Sequence, residues 1–469
     1  MTLTTKRTDP ATLRDLAPTP PDVAAPGGDR AHLFVVGAGY VGLVTAVGMA
    51  RLGHRVTLSD IDEQRIDTLR AGDVPIFEPG LPEALEEVRE RITFTTDATP
   101  PADARFSFIT VSTPLRDDGL MDLTNVLAVV RRLVTTVPAD HVVVVRSTLM
   151  PDGPDAIAKV REPGEGGPAL VTNPEFLREG SALQDFLKPG RIVAGMLAER
   201  DRAAAEEVLA LYAGIEAPGM IADARSVAMI KIASNVFLAM KVAYANELAR
   251  LCDAYGANAT VVADGLGLDD RIGRSFLDPG PGIGGSCLPE QAVALDVVAR
   301  TAGVAAPLIG SVAIANDTHR TAIVRRIGSL LGIDMDASPT PLTGTRVAIL
   351  GLAFKANTDD VRQSAPLAIA AELASTGASV VGTDPRAIAN ALRSEPGLET
   401  AANVDAAVRG ADAVLIATEW PEYRSLDWKT LAPTMRGTLV FDTREVADPV
   451  VMRDAGLRLV RLGRTEGAA

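Results

Sequence analysis

Cysteine is nearly absent from this chain. Cys252 and Cys287 are its two thiols in 469 residues, which excludes a disulfide framework and fits a reducing, cytoplasmic setting. Positive charge is also in deficit, since 46 Lys and Arg face 60 Asp and Glu for a net charge of −14. An acidic surface repels phosphate backbones and anionic lipid, so neither nucleic acid nor membrane is an expected partner. No apolar stretch approaches the roughly 20 residues of a membrane span. Residues 1–30 are rich in Pro, Ala and Asp and lack the apolar centre of a signal peptide, so they read as a disordered extension. No metal centre is expected.

Apolar residues are plentiful, at 47%, and the length suffices for two or three domains with their own cores. From 31 to 223, apolar runs (HLFVVGAG, HRVTLSD, FSFITVST, HVVVVRST, RIVAGM) alternate with helical stretches. That alternation predicts a parallel sheet covered on both faces. From 224 to 331 the pattern is helical, with one long helix through SVAMIKIASNVFLAMKVAYANELARLCDAYG that stops at Gly256. After the linker ASPTPLTG, residues 343–462 repeat the strand and helix alternation (TRVAILGLAF, ASVVGTDP, DAVLIATEW, GTLVFDTR). The fold class is therefore α/β, with two doubly wound Rossmann-like domains joined by a long central helix and a helical middle domain. GLAFK stands in the second domain where GAGYVG stands in the first, without the full glycine set. The second domain is expected to bind something other than a dinucleotide.

The first domain carries Gly37-Ala38-Gly39-Tyr40-Val41-Gly42 directly after an apolar run. Gly37 permits a tight turn, Gly39 lets backbone approach a pyrophosphate, and Gly42 lets helix and strand pack closely. The helix that follows offers free N–H groups and a positive dipole end to phosphates. Asp60 ends the next apolar run, at the spacing where a carboxylate accepts from ribose hydroxyls and repels a 2′-phosphate. NAD is therefore the expected cofactor, with Arg65 nearby pulling against that preference. Cys252 lies within the helical pattern and reads as a small buried hydrophobe. Cys287 follows a glycine-rich stretch, DPGPGIGGSC, and precedes Leu288-Pro289. The backbone of such a loop presents a thiol, and thiolates add readily to carbonyl carbons.

GAGYVG, VSTP (111–114), RST (146–148), NPEFLREG (173–180), KIASN (231–235), GIGGSC (282–287) and GLAFKANTDDVRQS (351–364) occur in this order. Together they resemble the nucleotide-sugar 6-dehydrogenase family over about 31–462. The resemblance implies a four-electron oxidation at C6 of a nucleotide hexose to the uronate, with two NAD reduced. UDP-glucose is the first choice of substrate, dTDP-glucose the second, and a GDP-mannose type remains an alternative. The roles implied are nucleophile for Cys287, stabilisation of the C6 oxygen by Lys231 and Asn235, and orientation or deprotonation of the hydrolytic water by Glu175. Thr113 is counted with this catalytic group. Implied cofactor contacts are Gly37, Gly39, Tyr40, Val41, Gly42, Asp60, Arg65, Thr113, Thr148, Glu179 and Arg362, with Thr113 and Thr148 ending strands. Implied nucleotide-sugar contacts are Glu175, Phe176, Leu177, Lys231, Asn235, Arg271, Phe276, Leu277, Gly284, Lys355 and Arg444. The resemblance also implies a homodimer through the long helix, with Arg271 reaching across.

The chain departs from the family after the cysteine. Where relatives read Pro-Lys-Asp or a close variant, Glu290 and Gln291 stand in place of the lysine and aspartate. Gln cannot take a proton, and removing a carboxylate beside Lys231 is expected to favour the neutral form of that lysine. Three readings follow: a full dehydrogenase, an enzyme that stops at the aldehyde, or a homologue that binds without turnover. Retention of Cys287, Lys231, Asn235 and Glu175 together favours the first. A β-hydroxyacid-type dehydrogenase is a further alternative, which needs neither the Cys287 loop nor the region 351–444.

Overall fold

The computed structural model describes residues 31–161 and 166–464, so the expected N-terminal extension lies outside the described residues. The chain divides into two compact units, one up to Ala233 and one from Ser234 onward.

The first unit holds an eight-stranded sheet of β1 (His32–Val36), β2 (Arg55–Ser59), β3 (Ile92–Thr95), β4 (Phe106–Ile109), β5 (Val142–Val145), β6 (Ala169–Thr172), β7 (Ile192–Met196) and β8 (Gly219–Asp223). Their order is β3-β2-β1-β4-β5-β6-β7-β8. Central strands such as Phe106–Ile109 and Val142–Val145 are buried at every position, as strands covered on both faces must be. The sheet is not purely parallel, because β7 runs antiparallel to β6. After β6 the chain stays at the sheet's carboxyl edge through NPEFLREG and the short helix Ala182–Leu187, then enters β7 from that edge. Without a crossover the next strand must reverse. This reversal keeps Glu175 at the edge where ligands bind in such sheets.

The second unit holds a six-stranded parallel sheet of β9 (Arg346–Leu350), β10 (Ser379–Thr383), β11 (Glu399–Thr400), β12 (Ala413–Ile416), β13 (Leu439–Asp442) and β14 (Arg458–Arg461). The order β11-β10-β9-β12-β13-β14 is that of a doubly wound nucleotide-binding sheet. The same unit carries the helices Cys287–Thr301 and Pro307–Leu330.

The long helix spans Ala224–Tyr255, and Gly256, at φ 72°, ends it as expected. Its first turns join the first unit, where Ala228 packs with Val143, Val145 and Leu170. Its last turns bury Ala249 and Cys252 with Ile323, Leu342 and Val460. This helix corrects one expectation. With a most apolar window of mean hydropathy 1.5, it is long and apolar enough to cross a membrane by length and composition. Its scattered polar residues, such as Lys231, Ser234 and Asn235, interrupt the apolar pattern without bringing that average down.

Candidate functional site

The glycine turn lies at the switch point between β1 and β4, where the strand order reverses. Gly37 sits at φ 104°, and a Cβ there would approach the Thr110 carbonyl carbon to 3.0 Å. A Cβ on Gly42 would stand 1.7 Å from the Gly37 oxygen, so helix and turn touch through that glycine. Gly39 differs, since nothing lies within 4 Å of its hypothetical Cβ. That open face beside a helix N-terminus is the space a pyrophosphate needs. Asp60 follows β2 and is buried. Its Oδ2 accepts from the Ala38 N–H at 2.6 Å and from Arg65 at 3.2 Å, and its Oδ1 accepts from the Asp62 N–H. The turn and the carboxylate are thus fixed to each other before any ligand arrives, and Arg65 is engaged as the partner of Asp60. These residues fit a dinucleotide.

Thr113 and Thr148 do not end strands. β4 stops at Ile109 and β5 at Val145, so both threonines lie in the loops beyond the carboxyl edge. Two further residues brace this site. Thr110 donates to the carbonyls of Val36 and Gly37. Glu78, buried and outside every motif in sequence, accepts from the N–H groups of Gly180 and Ala182 and from the Tyr40 hydroxyl. Burial first, then the Glu78 hydrogen bond and the charges of Glu78 and Glu179, drive the Tyr40 hydroxyl far above the ordinary tyrosine value. It stays a neutral donor to Glu78. Glu179 therefore lies close enough to Tyr40 for its charge to act on that hydroxyl.

The loop after β6 is anchored by Asn173. Its Nδ2 donates to Val193 O, and its Oδ1 accepts from Arg146 and from the Tyr212 hydroxyl. Arg146 also donates to Thr45 of the dinucleotide helix. From this anchor Glu175 reaches Lys231: Nζ donates to Oε1 at 2.8 Å, with both side chains buried. The Leu177 N–H donates to Oε2. The Phe176 ring carries the Arg191 guanidinium at 3.9 Å and the Lys231 ammonium at 5.4 Å. Burial would push the Glu175 carboxyl up, but Lys231, the Leu177 N–H and Arg146 outweigh it and hold it below the ordinary carboxylate range. Glu175 thus stands as a carboxylate beside Lys231 although Gln291 carries none.

In the second unit Cys287 is exposed and opens the helix Cys287–Thr301. It was expected within the loop and instead occupies the first helical position, at the positive end of that helix. Gln291 is buried one turn later, and its Oε1 accepts from Asn235 Nδ2 at 2.9 Å. Glu290 is partly buried; its carboxyl is raised by burial against the lowering charge of Arg362, with Asp360 adding to the rise. The loop before Cys287 holds Phe276 at φ 65°, buried Leu277, and Gly284, where a Cβ would stand 2.7 Å from Phe354 Cβ. Such a positive φ is uncommon for an aromatic residue. Arg271 is exposed and paired with Asp269, and Arg362 is paired with Asp360.

The second sheet repeats the first at its own switch point. Gly351, at φ 101°, follows β9 as Gly37 follows β1. Asp384 follows β10 and accepts from the N–H groups of Leu352 and Ala353, as Asp60 does from Ala38. Sequence reasoning missed Asp384, although GTDP echoes LSD. Lys355 lies just past β9 and Arg444 just past β13, so both cations stand at the carboxyl edge. Arg444 pairs with Glu419 at 3.2 Å and donates to the carbonyls of Ala417 and Phe354. Burial raises the Glu419 carboxyl, while Arg444, backbone donors and Lys355 bring it net below the ordinary range. Among the described residues no cluster of three or more His, Cys, Asp or Glu is placed to hold a metal ion.

A dinucleotide turn with its acidic partner, followed by a second nucleotide-type sheet edged with cations, defines an NAD-linked oxidoreductase of a nucleotide-bearing substrate. The chain belongs to the UDP-glucose/GDP-mannose dehydrogenase family, whose NAD binding, central and UDP binding domain models match residues 31–215, 225–318 and 348–449. It is 39% identical to the UDP-glucose 6-dehydrogenase of Rhizobium meliloti (strain 1021), over 92% of this chain and 100% of that protein. It is 37% identical to UDP-glucose 6-dehydrogenase TuaD of Bacillus subtilis (strain 168), over 92% of this chain and 93% of that one. The solved UDP-glucose dehydrogenase from the archaeon Pyrobaculum islandicum superposes with a TM-score of 0.82 at 37% identity, covering 94% of this chain and 100% of its own. This chain is accordingly an NAD-dependent nucleotide-sugar 6-dehydrogenase.

Proposed function

We propose that the chain oxidises UDP-glucose to UDP-glucuronate in two successive two-electron steps, with Cys287 as the covalent nucleophile. The observation that carries this reading is an exposed Cys287 at the first position of a helix, where the dipole favours negative charge on sulfur and on an adjacent oxyanion. NAD bound at the Gly37–Gly42 turn supplies the two hydride acceptors, one per oxidation.

In the first step the hydride on C6 would pass to bound NAD and the C6 hydroxyl proton to solvent water, leaving the aldehyde, while Lys231 steadies negative charge on the C6 oxygen and Asn235 donates a neutral hydrogen bond. The Cys287 thiolate then adds to the aldehyde carbon, giving a thiohemiacetal. Loss of hydride from that carbon, which a second NAD would accept, and of the proton from its oxygen to solvent water leaves a thioester. Water attacks the thioester carbonyl, the C–S bond breaks, and the carboxylate and the thiol are released. Glu175, held ionised, orients this water and takes its proton. Thr113, Thr148, Glu179 and Arg362 assist at the cofactor; Phe176, Leu177, Phe276, Leu277 and Gly284 shape the sugar pocket. Lys355 and Arg444 bind the diphosphate, with Arg271 contributed from a second copy in a homodimer.

Full turnover is favoured over a blocked homologue by the Lys231–Glu175 pair, which keeps a carboxylate at the lysine although Gln291 carries none. The test is kcat/KM with NAD on a panel of UDP-, dTDP- and GDP-hexoses. UDP-glucose is expected to lead; a higher value for a GDP-hexose would overturn the substrate, and no NADH on any sugar would overturn the enzyme.

A further inference from the structure

Three buried polar side chains outside the reactive set converge on the backbone just before Cys287. Asn246 Oδ1 accepts from the Gly280 N–H at 2.9 Å. Asn316 closes a two-way bond with Ile283: Oδ1 accepts from its N–H at 2.7 Å and Nδ2 donates to its carbonyl at 3.1 Å. His319 Nε2 meets the Gly280 carbonyl at 2.7 Å, and its Nδ1 meets the Arg250 guanidinium at 2.7 Å. An arginine only donates, so Nδ1 accepts and Nε2–H donates, which fixes one neutral tautomer. Asn246, Asn316 and His319 are 1%, 5% and 1% exposed, so the loop is held by desolvated bonds that water does not replace.

The opposite side of the loop is closed by the segment after β9. The Gly285 N–H donates to the Arg362 carbonyl. A Cβ on Gly284 would stand 2.9 Å from the Gln363 oxygen, and one on Gly280 would stand 2.8 Å from an Arg444 guanidinium nitrogen. The loop is therefore packed closely against Arg444 and the segment after β9. Its far end is the first turn of the helix that begins at Cys287. A thiol that must reach a carbonyl carbon at a set angle needs such a fixed base, because a misplacement of about 1 Å costs about 10²-fold in rate.

We propose that Asn246, Asn316 and His319 are positioning residues for the thiol step: they clamp residues 280–283 so that Cys287 is set for the second oxidation, while the turnover rate of the first oxidation at saturating substrate does not depend on them. The proposal rests on the nucleophilic role given to Cys287.

The experiment compares two reactions of the C6 aldehyde of UDP-glucose. NAD-driven oxidation needs the thiol; NADH-driven reduction to the alcohol reverses the first step and does not. His319→Leu and Asn316→Ala are expected to lower kcat of oxidation at saturating aldehyde by about 10²-fold, to leave kcat of reduction within about threefold, and to change the iodoacetamide labelling rate of Cys287 followed by peptide mass. His319→Gln, whose amide can still donate to the Gly280 carbonyl, is expected to restore oxidation to within about threefold. Asn316→Asp, which keeps the acceptor for Ile283, serves if Asn316→Ala does not fold. Equal loss of both reactions, unchanged oxidation in His319→Leu, or failure of His319→Gln to rescue would overturn the clamp. Cys287→Ser separates the two claims. If it keeps aldehyde oxidation, the nucleophile reading falls and the clamp with it; if it loses oxidation while His319→Leu does not, only the clamp falls.

Discussion

Removing the Glu175 carboxylate would leave the Lys231 ammonium buried without the partner that now stands 2.8 Å away. Breaking a buried pair from one side costs about 3–5 kcal/mol, and losing an acid/base group costs about 10²–10⁴-fold in rate. Glu175→Gln is therefore expected to lower both Tm and kcat, read by thermal melting and steady-state kinetics. The pair also has a pH signature. The folded-state Glu175 carboxyl titrates below its unfolded value, so its stabilisation is fully present above the ordinary carboxylate range. It is lost as pH falls through the lowered folded value, and the Tm gap between wild type and Glu175→Gln should narrow there. Gln291 is assigned a different task, accepting from Asn235. Gln291→Leu leaves that donor without its acceptor at a cost of about 1–3 kcal/mol, so kcat should fall, while Gln291→Asp keeps an acceptor and should stay within about threefold of wild type. A large gain in Gln291→Asp would mean that the missing carboxylate limits the enzyme.

At the scale of elements, the dinucleotide turn separates packing from binding. Gly42→Ala drives a Cβ into the Gly37 oxygen, whereas Gly39→Ala meets nothing within 4 Å. Overpacking of this kind costs about 1–3 kcal/mol, so Gly42→Ala should lower Tm. Gly39→Ala should melt normally yet lose NAD affinity by about tenfold or more, equal to about 1.4 kcal/mol, measured by calorimetry. The clamped loop gives a further test. Burial holds His319 down from 6.5 to about 4, with the nearby Arg250 cation adding to that and the Gly280 carbonyl opposing it. The unfolded chain then takes up this proton first as pH drops, so stability declines between about 6.5 and about 4 and His319→Gln should flatten that slope in denaturant titrations. The elements that were legible carry long apolar runs, such as Val142–Val145 and Arg346–Leu350. Those missed were short or marginal: Ile92–Thr95, Ala169–Thr172, Gly219–Asp223, the two-residue Glu399–Thr400 and Arg458–Arg461. They owe their pairing to neighbours rather than to their own pattern. Glu78 was invisible for a related reason, since it binds backbone N–H groups about a hundred residues away and no local spacing encodes that.

Over the whole molecule, each unit carries its own nucleotide-type sheet, and the motif order that pointed to the family is reproduced by three consecutive domain matches. The residues to which the family resemblance assigns the chemistry lie within the motifs and so were open to sequence reasoning. Their partners were not: the Lys231–Glu175 bond joins residues 56 apart, and Asn235–Gln291 likewise. Separate ligands in separate units imply separable losses. Arg444→Ala should abolish the thermal shift given by UDP-glucose and keep the shift given by NAD; Gly39→Ala should keep the UDP-glucose shift and cut that given by NAD by about half or more. At about 100 times Kd each ligand adds about 2.7 kcal/mol, enough to read by melting. The measurement that bears most directly on the central claim is the stoichiometry of a complete conversion of UDP-glucose with excess NAD, counting NADH by absorbance and uronate by mass. Two NADH for each UDP-glucuronate, with no aldehyde remaining, is the result expected; one NADH with an accumulating C6 aldehyde would contradict it.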